Sequence, residues 1–233
     1  VPTVTRDGEG GRLPAGGADA AQLLHVAADA LNLRAAPGTD AEISATLPRF
    51  TTLELLAQVE GGRWLRVAGP DGAIGYVALD YVGIGPGWEA ERQWCRDNRG
   101  PEVPNGTLFE RPRGGQHRLI VRNTTDQDVV VKLRPSGGDE TVLGIYVQAR
   151  STAQSGGILD GAYRVLVATG EAYSRACGLF LDDTRTLSYP EPKVFRPRMI
   201  GGREAGATIE LVLRPPNSGH TPGEAISADA FRE

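Results

Sequence analysis

Residues 62–77 read GRWLRVAGPDGAIGYV, and the fold turns on this stretch. In RWLRV, period-2 alternation puts Leu65 and Val67 on one face and Trp64 and Arg66 on the other, as in a half-buried strand. Asp71-Gly72 is a hairpin signal, because Gly takes a positive φ without a Cβ penalty. The next strand, AIGYV, turns Tyr76 away from Val77 by the same alternation. Two short strands do not hold themselves up in water, so others must pack around them. Residues 30–34 (ALNLR) alternate Leu31 and Leu33 with Asn32 and Arg34, and residues 36–40 (APGTD) make a loop. Residues 43–47 and 52–59 are further strand candidates, and Gly61-Gly62 turns the chain back into residues 63–67. Five short strands joined by tight turns predict a small closed barrel.

The ordered series LNLRAAPG (31–38), GRWLRVAGPDGAIGYV (62–77) and DYV (80–82) resembles the bacterial SH3 (SH3b) domain. Tyr76 stands where that family usually carries Trp. The resemblance implies an SH3b-like barrel over residues 22–85 that binds cell-wall peptide (peptidoglycan) or an envelope protein without catalysis. It also implies a periplasmic or secreted protein of the cell envelope. Trp64, Arg66, Tyr76, Tyr81, Asn32 and Arg34 are the candidate groove, since flat amphipathic rings bury area at low entropic cost. The competing expectation is that Trp64 and Tyr76 close the barrel while Asn32 and Arg34 fix the adjoining loop by hydrogen bonds.

Outside the barrel, residues 1–21 are rich in Gly and poor in large apolar side chains. They read as a flexible leader, the tether of a removed N-terminal anchor. Residues 86–116 read as a linker with a short helix at 88–96, whose Trp88 and Trp94 would pack on a neighbouring domain. A second β region over residues 117–214 offers strands at 117–123, 128–133, 142–148, 162–168, around 177–181 and at 208–213. Within it Val129, Val131 and Leu133 alternate with Val130 and Lys132, the mark of a half-buried strand. Residues 159–170 (LDGAYRVLVATG) resemble one strand and its turns in transthyretin-like sandwiches. The expected class is therefore all-β, an SH3b-like barrel followed by an antiparallel β-sandwich, with residues 215–233 as a flexible tail.

The chain of 233 residues holds 31 Gly and 16 Pro, too few for a disordered chain and enough for many turns. A net charge of −4 argues against nucleic acid, which needs a clustered positive surface. No apolar run approaches the roughly 20 residues of a membrane helix. Cys95 and Cys177 read as one disulfide, worth roughly 4 kcal/mol through the long loop it closes, and so as an oxidising compartment. The alternative, a reactive thiolate, needs a base, and His25, His117 and His220 share no motif with either cysteine. No nucleophile elbow, zincin pair or phosphate loop occurs, so no catalytic residue, cofactor or metal is expected. Asp182 and Asp183, as neighbours in a strand, would point to opposite faces, and a solvated turn accounts for them. Asn105 and Asn123 head glycosylation sequons but read as turn residues. A second functional reading is a structural or assembly protein in which both β domains bind other proteins.

Overall fold

The computed structural model describes residues 22–59, 61–215 and 223–232, which fall into two units, Val1–Gln93 and Trp94–Glu233. The expected leader lies outside the described residues. In the first unit, β1 (Leu23–Val26), β2 (Ala30–Arg34), β3 (Ile43–Pro48), β4 (Thr52–Gln58), β5 (Trp64–Ala68), β6 (Ile74–Ala78) and β7 (Val82–Ile84) form one antiparallel sheet. Its order is β3-β2-β6-β5-β4-β1-β7. Every inward position read from the alternation is buried: Leu31, Leu33, Leu65, Val67 and Val77 join Leu24, Val26, Leu47 and Leu53 in one core. Each such side chain contributes about 1.5–3 kcal/mol. Asp71 (φ 58°) and Gly72 (φ 77°) make the turn between β5 and β6. Gly75 is demanded by packing, since a Cβ there would stand 2.7 Å from Leu33 Cγ. That close approach is where β6 meets β2, through the single pair Arg34–Tyr76.

The helix α1 (Gly87–Asp97) covers the expected segment, and Trp88 on it is 60% exposed. Beyond it come β8 (Leu108–Glu110), β9 (His117–Asn123), β10 (Asp128–Pro135), β11 (Leu143–Val147), β12 (Thr152–Ile158), β13 (Gly161–Ser174) and β14 (Leu179–Ser188). Then follow β15 (Lys193–Phe195), β16 (Arg198–Ile200), β17 (Arg203–Ala205), β18 (Thr208–Leu213), β19 (Glu224–Ala225) and α2 (Ala228–Arg232). The large sheet runs β19-β14-β13-β10-β11-β8, with β15 also on β13, and the small sheet runs β12-β9-β18. Strand β18 lies parallel to β9, a departure from the antiparallel expectation. Leu119 and Val121 of the small sheet meet Val129, Val131, Leu133, Val165 and Val167 of the large one in a shared core.

Strand β10 is buried on both faces, not one. Val130 lies in a second core with Val103, Tyr146, Leu166, Ala168, Leu179, Phe180 and Phe231. The segments expected to be a linker and a flexible tail supply its cover. Val103, from the supposed linker, is 3% exposed, and β8 pairs with β11. Phe231, from the supposed tail, is fully buried. The reason is on β10 itself: Val130 leaves an apolar surface on the outer face that must be covered. The cations beyond it hold the cover down. Lys132 Nζ donates to the carbonyls of Phe231 (2.5 Å) and Arg232 (3.2 Å), and Arg134 donates to those of Ala230 and Phe231. Cations at the end of a short helix meet the carbonyls that lack intrahelical partners.

Asp182 and Asp183 sit inside β14 at a register shift, with Asp183 at φ 50°, so the expected turn is a bulge within a strand. Asp182 accepts a 2.5 Å bond from Arg96. The sequons do mark turns. The buried Asn123 amide donates to the Gln127 and Gln148 carbonyls and accepts from Thr125, while Asn105 bridges to Thr152 and Gln148.

Candidate functional site

The register of the barrel brings three of the anticipated residues into one row. Arg34 of β2 pairs with Tyr76 of β6, and Tyr76 pairs with Arg66 of β5. All three alternate with core residues and face outward, so in the ladder Tyr76 stands between the positions of Arg34 and Arg66. Trp64 lies on the same face of β5, two residues from Arg66 and opposite Ala78. That makes it a diagonal neighbour of Tyr76, within reach for aromatic side chains. Trp64 and Tyr76 are half-buried, whereas Arg66 is exposed.

The other anticipated members do not join the row in the same way. Arg34 is partly engaged, donating to the Ala41 carbonyl at 2.6 Å and so holding the loop after β2. Asn32 accepts from Thr46 of β3 at 3.1 Å, tying two strands together. Tyr81 stands in the short turn between β6 and β7, 53% exposed and outside the ladder that aligns Trp64 and Tyr76. The described histidines serve structure. His25 contacts the Gly85 carbonyl at the β1–β7 pairing. His117 is fully buried, its Nδ1 accepting from the Ala207 amide and its Nε2 donating to Asp160.

Sequence reasoning missed a cleft of about 580 Å³ in the second unit, lined by Phe109, Lys132, Glu140, Tyr173, Arg175 and Cys177 among others. Beside it, Phe109 stacks on Tyr173 at 5.3 Å, and Tyr173 meets Phe180 edge-on at 5.1 Å. Burial raises the Tyr173 hydroxyl to about 12 and lowers Lys132 to about 8, with Arg134 adding to the second effect. Tyr146 is raised by burial and then by its bond to Asp128. A signal for this region was present: Lys132 and Arg134 share the outer face of β10 with Val130, an unusual company for a solvated face.

The Lys132 shift carries a testable sign. Its proton leaves the folded state near pH 8 but the unfolded state only near 10.5. The unfolded chain therefore binds more protons in between, and stability rises with pH over that interval. Chemical denaturation from pH 8 to about 9, before the unfolded chain's tyrosines begin to ionise around their ordinary value of 10.0, should show this rise in the wild type. It should be absent in Lys132→Met; identical profiles would refute the assignment.

The cysteines are joined, Cys95 of α1 to Cys177 in the turn before β14, with a Cα separation of 5.9 Å. No described helix is long and apolar enough to cross a membrane. Residues 29–83 match the model of the family described as bacterial SH3 domain. No curated protein matches the chain. The matched family is one of binding domains, and together with the disulfide it fits an extracellular or envelope location. The first unit thus carries, over residues 29–83, a bacterial SH3 domain.

Proposed function

We propose that the protein is a non-catalytic binding module of the periplasm or cell surface, whose SH3 domain holds a cell-wall peptide across its outer face. The row Arg34–Tyr76–Arg66, flanked by Trp64, carries the reading. An extended peptide would lay its backbone on the two rings, which offer flat area and few rotamers to freeze. The exposed Arg66, register partner of Tyr76, suits a ligand with carboxylates, which Arg recognises with a planar fork of donors, and Arg34 on the other side of Tyr76 in the ladder adds positive charge. Tyr76 in place of the usual Trp gives a smaller ring with a hydroxyl that can also bond the ligand.

The test is co-sedimentation of the full chain with purified peptidoglycan. The wild type should pellet, and a Trp64→Ala, Tyr76→Ala double variant should lose at least tenfold in affinity, since two contact aromatics each contribute about 1 kcal/mol or more. Both side chains lie outside the core, so the variant should keep its fold, which circular dichroism checks. Equal retention of the two proteins would eliminate the groove.

A further inference from the structure

Between β15 and β18 the chain leaves the sandwich as a ribbon of its own. Among the described residues, strands β16 and β17 pair only with each other, in the register Arg198–Ala205, Met199–Glu204, Ile200–Arg203. Gly201 (φ 57°) and Gly202 (φ 79°) form the two-residue turn, the backbone that a tight hairpin of this hand requires. The ribbon is rooted at both ends: Phe195 before it is fully buried, and Ala207 after it is 5% exposed with its amide on His117. A firm root presents a defined tip.

The tip is apolar where a solvated hairpin would be polar. Met199 and Ile200 are 66% and 65% exposed, adjacent in sequence and next to the turn. As neighbours in β16 they point to opposite faces of the ribbon, Met199 opposite Glu204 and Ile200 opposite Arg203, so a large apolar side chain flanks the turn on each side, which marks the tip as a contact surface. The surroundings are basic. Residues 191–204 hold four basic side chains and two acidic ones. Arg198 and Arg203 share a face with Ile200, and Arg203 is its direct cross-strand partner. Arg196, Arg198 and Arg203 have no ion-pair partner among the described residues.

We propose that the 196–206 hairpin is a membrane-surface anchor, inserting Met199 and Ile200 among the acyl chains of an anionic bilayer while the arginines bind lipid phosphates. Charge complementarity selects this occupant. A purely apolar protein groove would leave three guanidinium groups uncompensated, whereas an anionic headgroup layer meets both the tip and its collar. Such an anchor holds the chain peripherally and needs no spanning segment.

Flotation of the full chain with vesicles tests this. Vesicles of equal parts phosphatidylcholine and phosphatidylglycerol should carry the wild type, less so at high salt, and pure phosphatidylcholine vesicles should not. Arg198→Gln with Arg203→Gln should lower partitioning about thirtyfold, and Met199→Ser with Ile200→Ser about tenfold or more. All four side chains are exposed, so melting curves should match the wild type. An Ile200→Trp variant should shift its fluorescence to the blue on the anionic vesicles. Absence of flotation, equal flotation of wild type and variants, or equal binding to both vesicle types would overturn the proposal. So would retention on a polyglutamate resin without vesicle binding, which would assign the hairpin to an acidic protein.

Discussion

Reduction of the Cys95–Cys177 disulfide should lower the unfolding midpoint of the second unit by roughly 10–20 °C. The bridge spans 82 positions of sequence, and in the chain-entropy account a loop of that size withholds roughly 4 kcal/mol of freedom from the unfolded chain. The folded state loses as well, because Cys95 is buried and the bridge ties α1 to the turn that opens β14. The neighbouring Arg96–Asp182 pair is half-exposed on both sides and cannot replace it, since exposed pairs contribute at most about 1 kcal/mol. Calorimetry of oxidised and reduced protein, with Cys177→Ser as the chemical control, checks this. An unchanged midpoint would mean that the segment around Cys95 is held by packing alone.

Replacing Phe231 by Ala is the second large effect. A fully buried Phe truncated to Ala costs about 3–5 kcal/mol when its surroundings cannot collapse. Here the ring also lies 4.6 Å from Lys132 Nζ, and its carbonyl accepts from Lys132 and Arg134. If the ring is the main anchor, the variant should behave like a chain ended before residue 223, because both release the same cover. The two changes should then be non-additive. Each should expose Val130, Leu166 and Ala168 and raise binding of a hydrophobic dye. Denaturant titration with dye fluorescence reads both quantities. A loss below about 1 kcal/mol with no gain in dye binding would show that the segment is not part of the core.

The barrel was legible because its signals are local. Alternation in ALNLR and RWLRV names the faces, and tight turns such as Asp71-Gly72 set which strands meet. Residues 30–34 and 117–123 form strands with those very bounds. The pairing of Arg34 with Tyr76 was not legible, because a β2–β6 contact spans 42 positions and depends on closure of the whole sheet. The second unit misled where its order is non-local. Nothing near Phe231 announces burial; that follows from the unspent apolar face of β10, nearly a hundred residues upstream. Likewise the 14-residue β13 continues past its apolar stretch to Ser174, because β14 pairs along it across a bulge at Asp183. The Met199-Ile200 pair was passed over since three-residue strands carry too little pattern to read.

The most direct measurement of the central claim is amide hydrogen exchange of the full chain with and without soluble peptidoglycan fragments. The account predicts slowed exchange in β2, β5 and β6, around Arg34, Arg66 and Tyr76, with residues 94–232 unchanged. Protection confined to the second unit, or absent from those three strands at saturating ligand, would contradict it.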